Sequence, residues 1–132
     1  MAYILVVDDE PGVLITLKTM LKVDGHNVLI AENGKRGIEE LKSNLDVIDL
    51  VITDIQMPEM DGLQFIHDLL EITKDIPVVA ISGGGNKIAN FDPLESLQDK
   101  ILGIIRKPFT HDELFETING VLESSRGARA NS

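Results

Sequence analysis

Five short apolar runs alternate along the chain with longer stretches of helical spacing. The runs are Tyr3–Val7, Asn27–Ala31, Leu50–Thr53, Pro77–Ile81 and Leu102–Ile105. They are rich in Val, Ile and Leu and do not alternate with polar residues, the pattern of strands covered on both faces. Between the first two runs, Val13, Leu14, Leu17, Met20 and Leu21 share a helical face, Pro11 suits the first turn, and Gly25 is the stop. Ile38, Leu41 and Leu45 mark a second helix. Leu63, Ile66, Leu69 and Leu70 mark a third, after the Asp61-Gly62 turn. Leu114, Phe115, Ile118, Val121 and Leu122 mark the last. The fourth interval starts with a glycine- and asparagine-rich loop, Gly83 to Asn90, followed by a short helix from Pro93 to Lys100 capped by Asp92.

This (βα)5 alternation predicts an α/β fold with a parallel sheet and right-handed crossovers. Ligands of such folds gather beyond the carboxyl ends of the strands. Asp8, Asp9 and Glu10 follow the first strand, Asp54 the third, Ser82 the fourth and Lys107 the fifth. All of them therefore land on one rim. Ser124–Ser132 reads as a flexible polar tail, leaving residues 1–123 as one domain.

Composition narrows the chemistry. With 132 residues the chain makes one domain with a real core, and 43% hydrophobic against 26% charged residues is ordinary globular usage. A net charge of −10 opposes direct nucleic-acid binding and attraction to anionic membranes. The absence of cysteine removes disulfides, thiolate-ligated zinc and a thiol nucleophile. No apolar stretch approaches the roughly 18 residues of a membrane span, and "YILVV" runs straight into acids unlike a signal peptide. A cytoplasmic protein is expected.

Taken singly, each rim residue has an ordinary explanation. Asp8-Asp9-Glu10 would cap the helix at Pro11, Asp54 would be a turn acid, Ser82 loop filler and Lys107 solvated. Their convergence is harder to dismiss. Two carboxylates about 4 Å apart repel by roughly 4 kcal/mol at an effective dielectric near 20. Such a rim needs a proton, a lysine or a metal, and a hard divalent cation suits oxygen ligands. His26, His67 and His111 are scattered, without zinc spacing, and read as surface or boundary residues. An aspartate is already ionised at neutral pH, so as a nucleophile towards phosphorus it needs charge neutralisation more than a base. Asp54 is then an acid exposed at the sheet mouth to be phosphorylated.

The motifs "VVDDE" at 6–10, "DIQMPEMDG" at 54–62, "ISGGG" at 81–85 and "KPF" at 107–109 occur in order. On these, the chain resembles the receiver domain of response regulators in bacterial two-component systems, over about residues 2 to 123. The resemblance implies a flavodoxin-like three-layer sandwich with strand order 2-1-3-4-5. It implies Asp54 as phosphoacceptor and Mg2+ as cofactor, held by Asp9 and Asp54, by Asp8 through water, and by the backbone carbonyl of Gln56. Ser82 and Lys107 would each contact a phosphoryl oxygen, with Gly83 and Pro108 shaping the site and Lys107–Pro108 cis. The donor would be a histidine kinase or histidine phosphotransfer protein, and the receiver would support its own phosphorylation and dephosphorylation. An unknown downstream protein would be the target, with neither nucleic acid nor membrane contacted directly.

One position departs from the family. Many receivers carry an aromatic three residues before the lysine, and here that residue is Ile104. A stiff β-branched side chain does not copy a ring's in-and-out motion. Ile104 is therefore expected to stay packed, and the switch to lie in the loop after the fourth strand. Rival readings fare less well. A phosphatase with an aspartate nucleophile needs a second acid where Gln56 stands, and "SGGGNK" fails as a P-loop at Asn86 and Ile88. Scarce aromatics disfavour a flavin. Two receiver-like alternatives remain: a module that signals without phosphorylation, and a relay intermediate that passes phosphate on.

Overall fold

The computed structural model describes residues 2–55, 62–73, 75–82 and 101–130. The Asp61 turn residue, the glycine-rich loop and the short helix expected from Pro93 to Lys100 lie outside them. Five strands, β1 (Tyr3–Val7), β2 (Asn27–Ala31), β3 (Leu50–Asp54), β4 (Val78–Ser82) and β5 (Ile101–Arg106), form one parallel sheet. Their order is β2-β1-β3-β4-β5. The helices are α1 (Pro11–Val23), α2 (Gly34–Ser43), α3 (Gly62–Ile72) and α4 (His111–Ala130).

Alternate strand residues face opposite sides of a sheet, and the two sides build two cores. On one, Leu5, Val7, Val51, Val78 and Ala80 meet Leu41 of α2 and Phe65, Ile66 and Leu69 of α3. On the other, Ile4, Val6, Ile52, Val79 and Ile81 meet Leu14, Leu17 and Leu21 of α1 and Leu114, Ile118 and Val121 of α4. Central strands β3 and β4 are buried throughout, and β1 at every position but Tyr3, as unbroken apolar runs require. Edge strands β2 and β5 are not. Each lacks a neighbour on one side, so part of its apolar surface stays open.

Four helix expectations shift. Phe65, absent from the expected apolar face of α3, is fully buried. Leu45 falls beyond the end of α2 and is exposed, as is Phe115 on α4. The last helix does not stop at Glu123 but continues to Ala130, through the segment expected to be a flexible tail. Ala128 and the two arginines are good helix formers, no proline intervenes, and a helix already nucleated by packing extends cheaply.

Gly25, after α1, takes a positive φ of 92° and turns the chain back into β2, as a stop glycine should. Gly37 serves packing instead. A Cβ there would lie 2.8 Å from Phe65 Cε1 and 2.9 Å from Val7 Cγ2, so only glycine lets α2 seat against β1 and α3.

Candidate functional site

The parallel sheet aligns the carboxyl ends of its strands, and the expected site residues converge there. Asp8 directly follows β1, where its backbone N–H donates to Ala31 O and extends the ladder. Asp54 is the last residue of β3, beside Ile81 of β4 in register. Ser82 ends β4, and its carbonyl accepts from Lys107 N–H at 2.8 Å, tying the lysine backbone to that strand. The Lys107–Pro108 bond is cis, as the resemblance implied.

Lys107 Nζ stands at the centre of the charges. It donates to Asp54 Oδ2 at 3.2 Å and Asp8 Oδ2 at 3.4 Å, and lies 3.9 Å from Glu10 Oε1. Asp8 is fully buried, and Asp54 (3%) and Ser82 (3%) nearly so. Asp54 is therefore not an open acid at the sheet mouth, as the sequence suggested. It is buried and paired with Lys107. Thr53 is also buried, and its hydroxyl donates to the Asp54 carbonyl at 2.9 Å.

Burial pushes the Asp8 carboxyl from its ordinary 3.8 up to about 6; the Glu10 N–H bond pulls the other way, the Asp54 charge adds to the rise, and Lys107 offsets part of it. For Lys107, burial disfavours the charged form, but the Asp54 and Asp8 carboxylates outweigh it and hold its pKa above the ordinary 10.5. Rim acidity is thus only partly compensated by the lysine.

Helix capping does not account for the acid run. Glu10 is the N-cap of α1 yet makes no side-chain capping bond, and Asp8 Oδ1 instead accepts the Glu10 N–H at 2.9 Å. One ligand oxygen from each of Asp8, Asp9 and Glu10 lies within 4.8 Å of the others. A buried carboxylate with a raised pKa, flanked by two more acids, is the donor set a hard divalent cation takes. The residues present fit Mg2+. Gln56 and Gly83 lie outside the described residues. Glu10 stands with Asp8 and Asp9 on this rim, as its place in the sequence led one to expect.

Ile104 does not stay packed: it is 41% exposed. The pairing of β4 with β5 shifts register between Val78 and Val79, which partner Ile101 and Gly103. Beyond the shift Ile105 is buried with the α1–α4 core, and a Cβ on Gly103 would meet Thr117 and Val121 of α4. Ile104 therefore projects from the opposite face of an edge strand. The histidines are boundary or surface residues, as expected. His26 Nδ1 accepts from Ala2 N–H at 3.1 Å, His111 Nε2 sits 3.0 Å from an Asp24 oxygen, and His67 is exposed on α3.

A doubly wound α/β sheet whose strand ends gather four acids and a lysine defines a class, the phosphoryl-signalling receivers. The chain belongs to the response regulator receiver domain family, whose model matches residues 4–119. It is 34% identical over 127 residues to the transcriptional regulatory protein GlrR of Escherichia coli, covering 96% of this chain and 28% of that protein. The chain thus spans little more than a quarter of that relative's length. A receiver domain protein from Clostridium thermocellum has a TM-score of 0.84 at 30% identity, with 96% of this chain and 98% of that chain covered. The response regulator TrrA of Thermotoga maritima, solved in complex with Mg2+ and BeF, gives 0.76 at 30% identity, covering 92% and 99%. Among the described residues, no helix is long and apolar enough to cross a membrane.

Proposed function

We propose that this receiver is a phosphorylation-dependent switch of a two-component relay, with Asp54 as the phosphoacceptor. The observation that carries the reading is the Lys107 ammonium, 3.2 Å from Asp54 and 3.4 Å from the buried Asp8. In the reaction an Asp54 carboxylate oxygen forms the bond to phosphorus as the donor's phosphorus–nitrogen bond breaks, and imidazole leaves. No general base is needed, because the nucleophile is an anion. Lys107 exchanges part of its carboxylate contact for a phosphoryl oxygen, and the Ser82 hydroxyl donates to another. Asp8, Asp9 and Asp54, with the Gln56 carbonyl, would hold Mg2+. When bound, that ion supplies the positive charge that lets an anionic phosphoryl group approach an acidic rim.

Phosphohistidine of a kinase or phosphotransfer protein is the donor class, and the protein acts in the cytoplasm on a downstream protein. The same site supports both gain and hydrolytic loss of the phosphoryl group. The exposed Ile104 lacks the ring that would swing inward, so the conformational response centres on the segment after Ser82. Amide hydrogen exchange in Mg2+, with and without beryllofluoride, tests this. Protection is expected to rise across Ser82 to Phe91, with little change from Ile104 to Leu114. A larger change on β5 and α4 would move the switch to that face. No change anywhere would favour a module that signals without phosphorylation.

A further inference from the structure

Four polar side chains are buried among the described residues: Asp8, Thr53, Asp54 and Ser82. Three of them take part in the proposed phosphoryl transfer, and Thr53 does not. It lies within β3 at full burial, with Val7 and Ala80 beside it in register on the neighbouring strands. Valine has nearly the same shape and would fill that apolar slot without a polar group. A buried hydroxyl costs free energy unless it is hydrogen-bonded, and this one donates to the Asp54 carbonyl at 2.9 Å.

The bond falls where the ladder runs out on one side. Val51 N–H donates to Pro77 O and Ile55 N–H to Ile81 O, so alternate residues of β3 face β4. Asp54 lies between such residues and turns its carbonyl towards β1. The register with β1 ends at Val7↔Thr53, one residue short of Asp54, while that with β4 reaches Asp54↔Ile81. The Asp54–Ile55 peptide is thus pinned at both ends. Its N–H donates to Ile81 O at 3.2 Å, and its carbonyl accepts from Thr53 Oγ1.

We propose that Thr53 is a positioning residue for phosphorylation of Asp54, its hydroxyl fixing the peptide from which the reacting carboxylate is aimed. The inference rests on Asp54 being the phosphoacceptor. Attack on phosphorus depends on where the nucleophilic oxygen points, and Lys107 Nζ meets Asp54 Oδ2 at 3.2 Å in the present geometry. Without the Thr53 hydroxyl the peptide turns more freely at the strand end, and the carboxylate spends less time aimed for attack. Thr53 is fully buried and meets no donor from solution, so the loss falls on the chemical step and not on donor binding.

The rate of phosphoryl gain from a small acyl phosphate in saturating Mg2+, followed by intact mass across donor concentrations, tests this at a temperature where every variant is folded. Thr53→Val should lower the maximal rate about tenfold and leave the half-saturating donor concentration within about twofold. Thr53→Ser keeps the hydroxyl and should run within about twofold of the parent, whereas Thr53→Ala should be as slow as Thr53→Val. A purely structural Thr53 predicts otherwise, because serine and alanine both give up the buried methyl and should then slow together. Thr53→Val as fast as the parent, or Thr53→Ser as slow as Thr53→Ala, would overturn the role of Thr53 alone. Phosphoryl gain in Asp54→Asn would overturn the phosphoacceptor and the role of Thr53 with it.

Discussion

Asp8 carries the strain of the site, and the strain has a definite pH signature. Its folded pKa of about 6 lies above the ordinary 3.8, so between those values the native state binds more protons than the unfolded chain. Stability from this group is full below pH 4 and is lost as pH rises through about 6, the reverse of a salt-bridged acid. The difference is worth up to about 3 kcal/mol. Asp8→Asn should therefore stabilise the metal-free protein by about 1–2 kcal/mol at pH 7 and change little at pH 4. Urea unfolding in a chelator at the two pH values measures this; an equal effect at both would refute it. Lys107 is the counterpart. Lys107→Met removes the ammonium that Asp8 and Asp54 share and should cost roughly 2–4 kcal/mol at pH 7, less at pH 4 where Asp8 is protonated. These residues were legible because, although each alone has an ordinary structural use, they all fall at the carboxyl ends of parallel strands. The burial of Asp54 was not, because it depends on what the fold brings over the strand end, including a lysine 53 positions away that bonds to it.

The elements show where periodicity informs and where it fails. Buried runs identified the central strands because both faces are covered and no alternation competes. Ile104 was misjudged because its exposure follows from a register shift between β4 and β5, which no local pattern reveals. Phe65 escaped because a face inferred from three or four leucines and isoleucines can be misplaced by one residue. Two glycines make opposite predictions. Gly37→Ala pushes a methyl into Phe65 and Val7 and should destabilise by about 1–2 kcal/mol, overpacking exceeding the gain in helix propensity. Gly120, in α4, has open space around it, so Gly120→Ala should stabilise by up to about 1 kcal/mol. Thermal unfolding of the two variants decides; a stabilised Gly37→Ala would mean that α2 seats less closely than described.

For the molecule as a whole, the charge of −10 and the partly neutralised rim give one thermodynamic expectation. Mg2+ at the proposed site would bind the folded and not the unfolded chain, so it should raise the melting temperature, by the equivalent of about 2.7 kcal/mol at a hundredfold excess over Kd. Among the described residues the fold was readable almost entirely, since strand and helix periods agree with each other there. The convergence of the candidate residues was readable because the parallel sheet turns scattered sequence positions into one rim. The central claim is that this rim exists to phosphorylate Asp54. The most direct measurement is the intact mass of the protein after incubation with a small acyl phosphate and Mg2+. The parent should gain one phosphoryl group, lost when a chelator is present from the start, and Asp54→Asn should gain none. A phosphoryl group that still appears on Asp54→Asn would contradict the account.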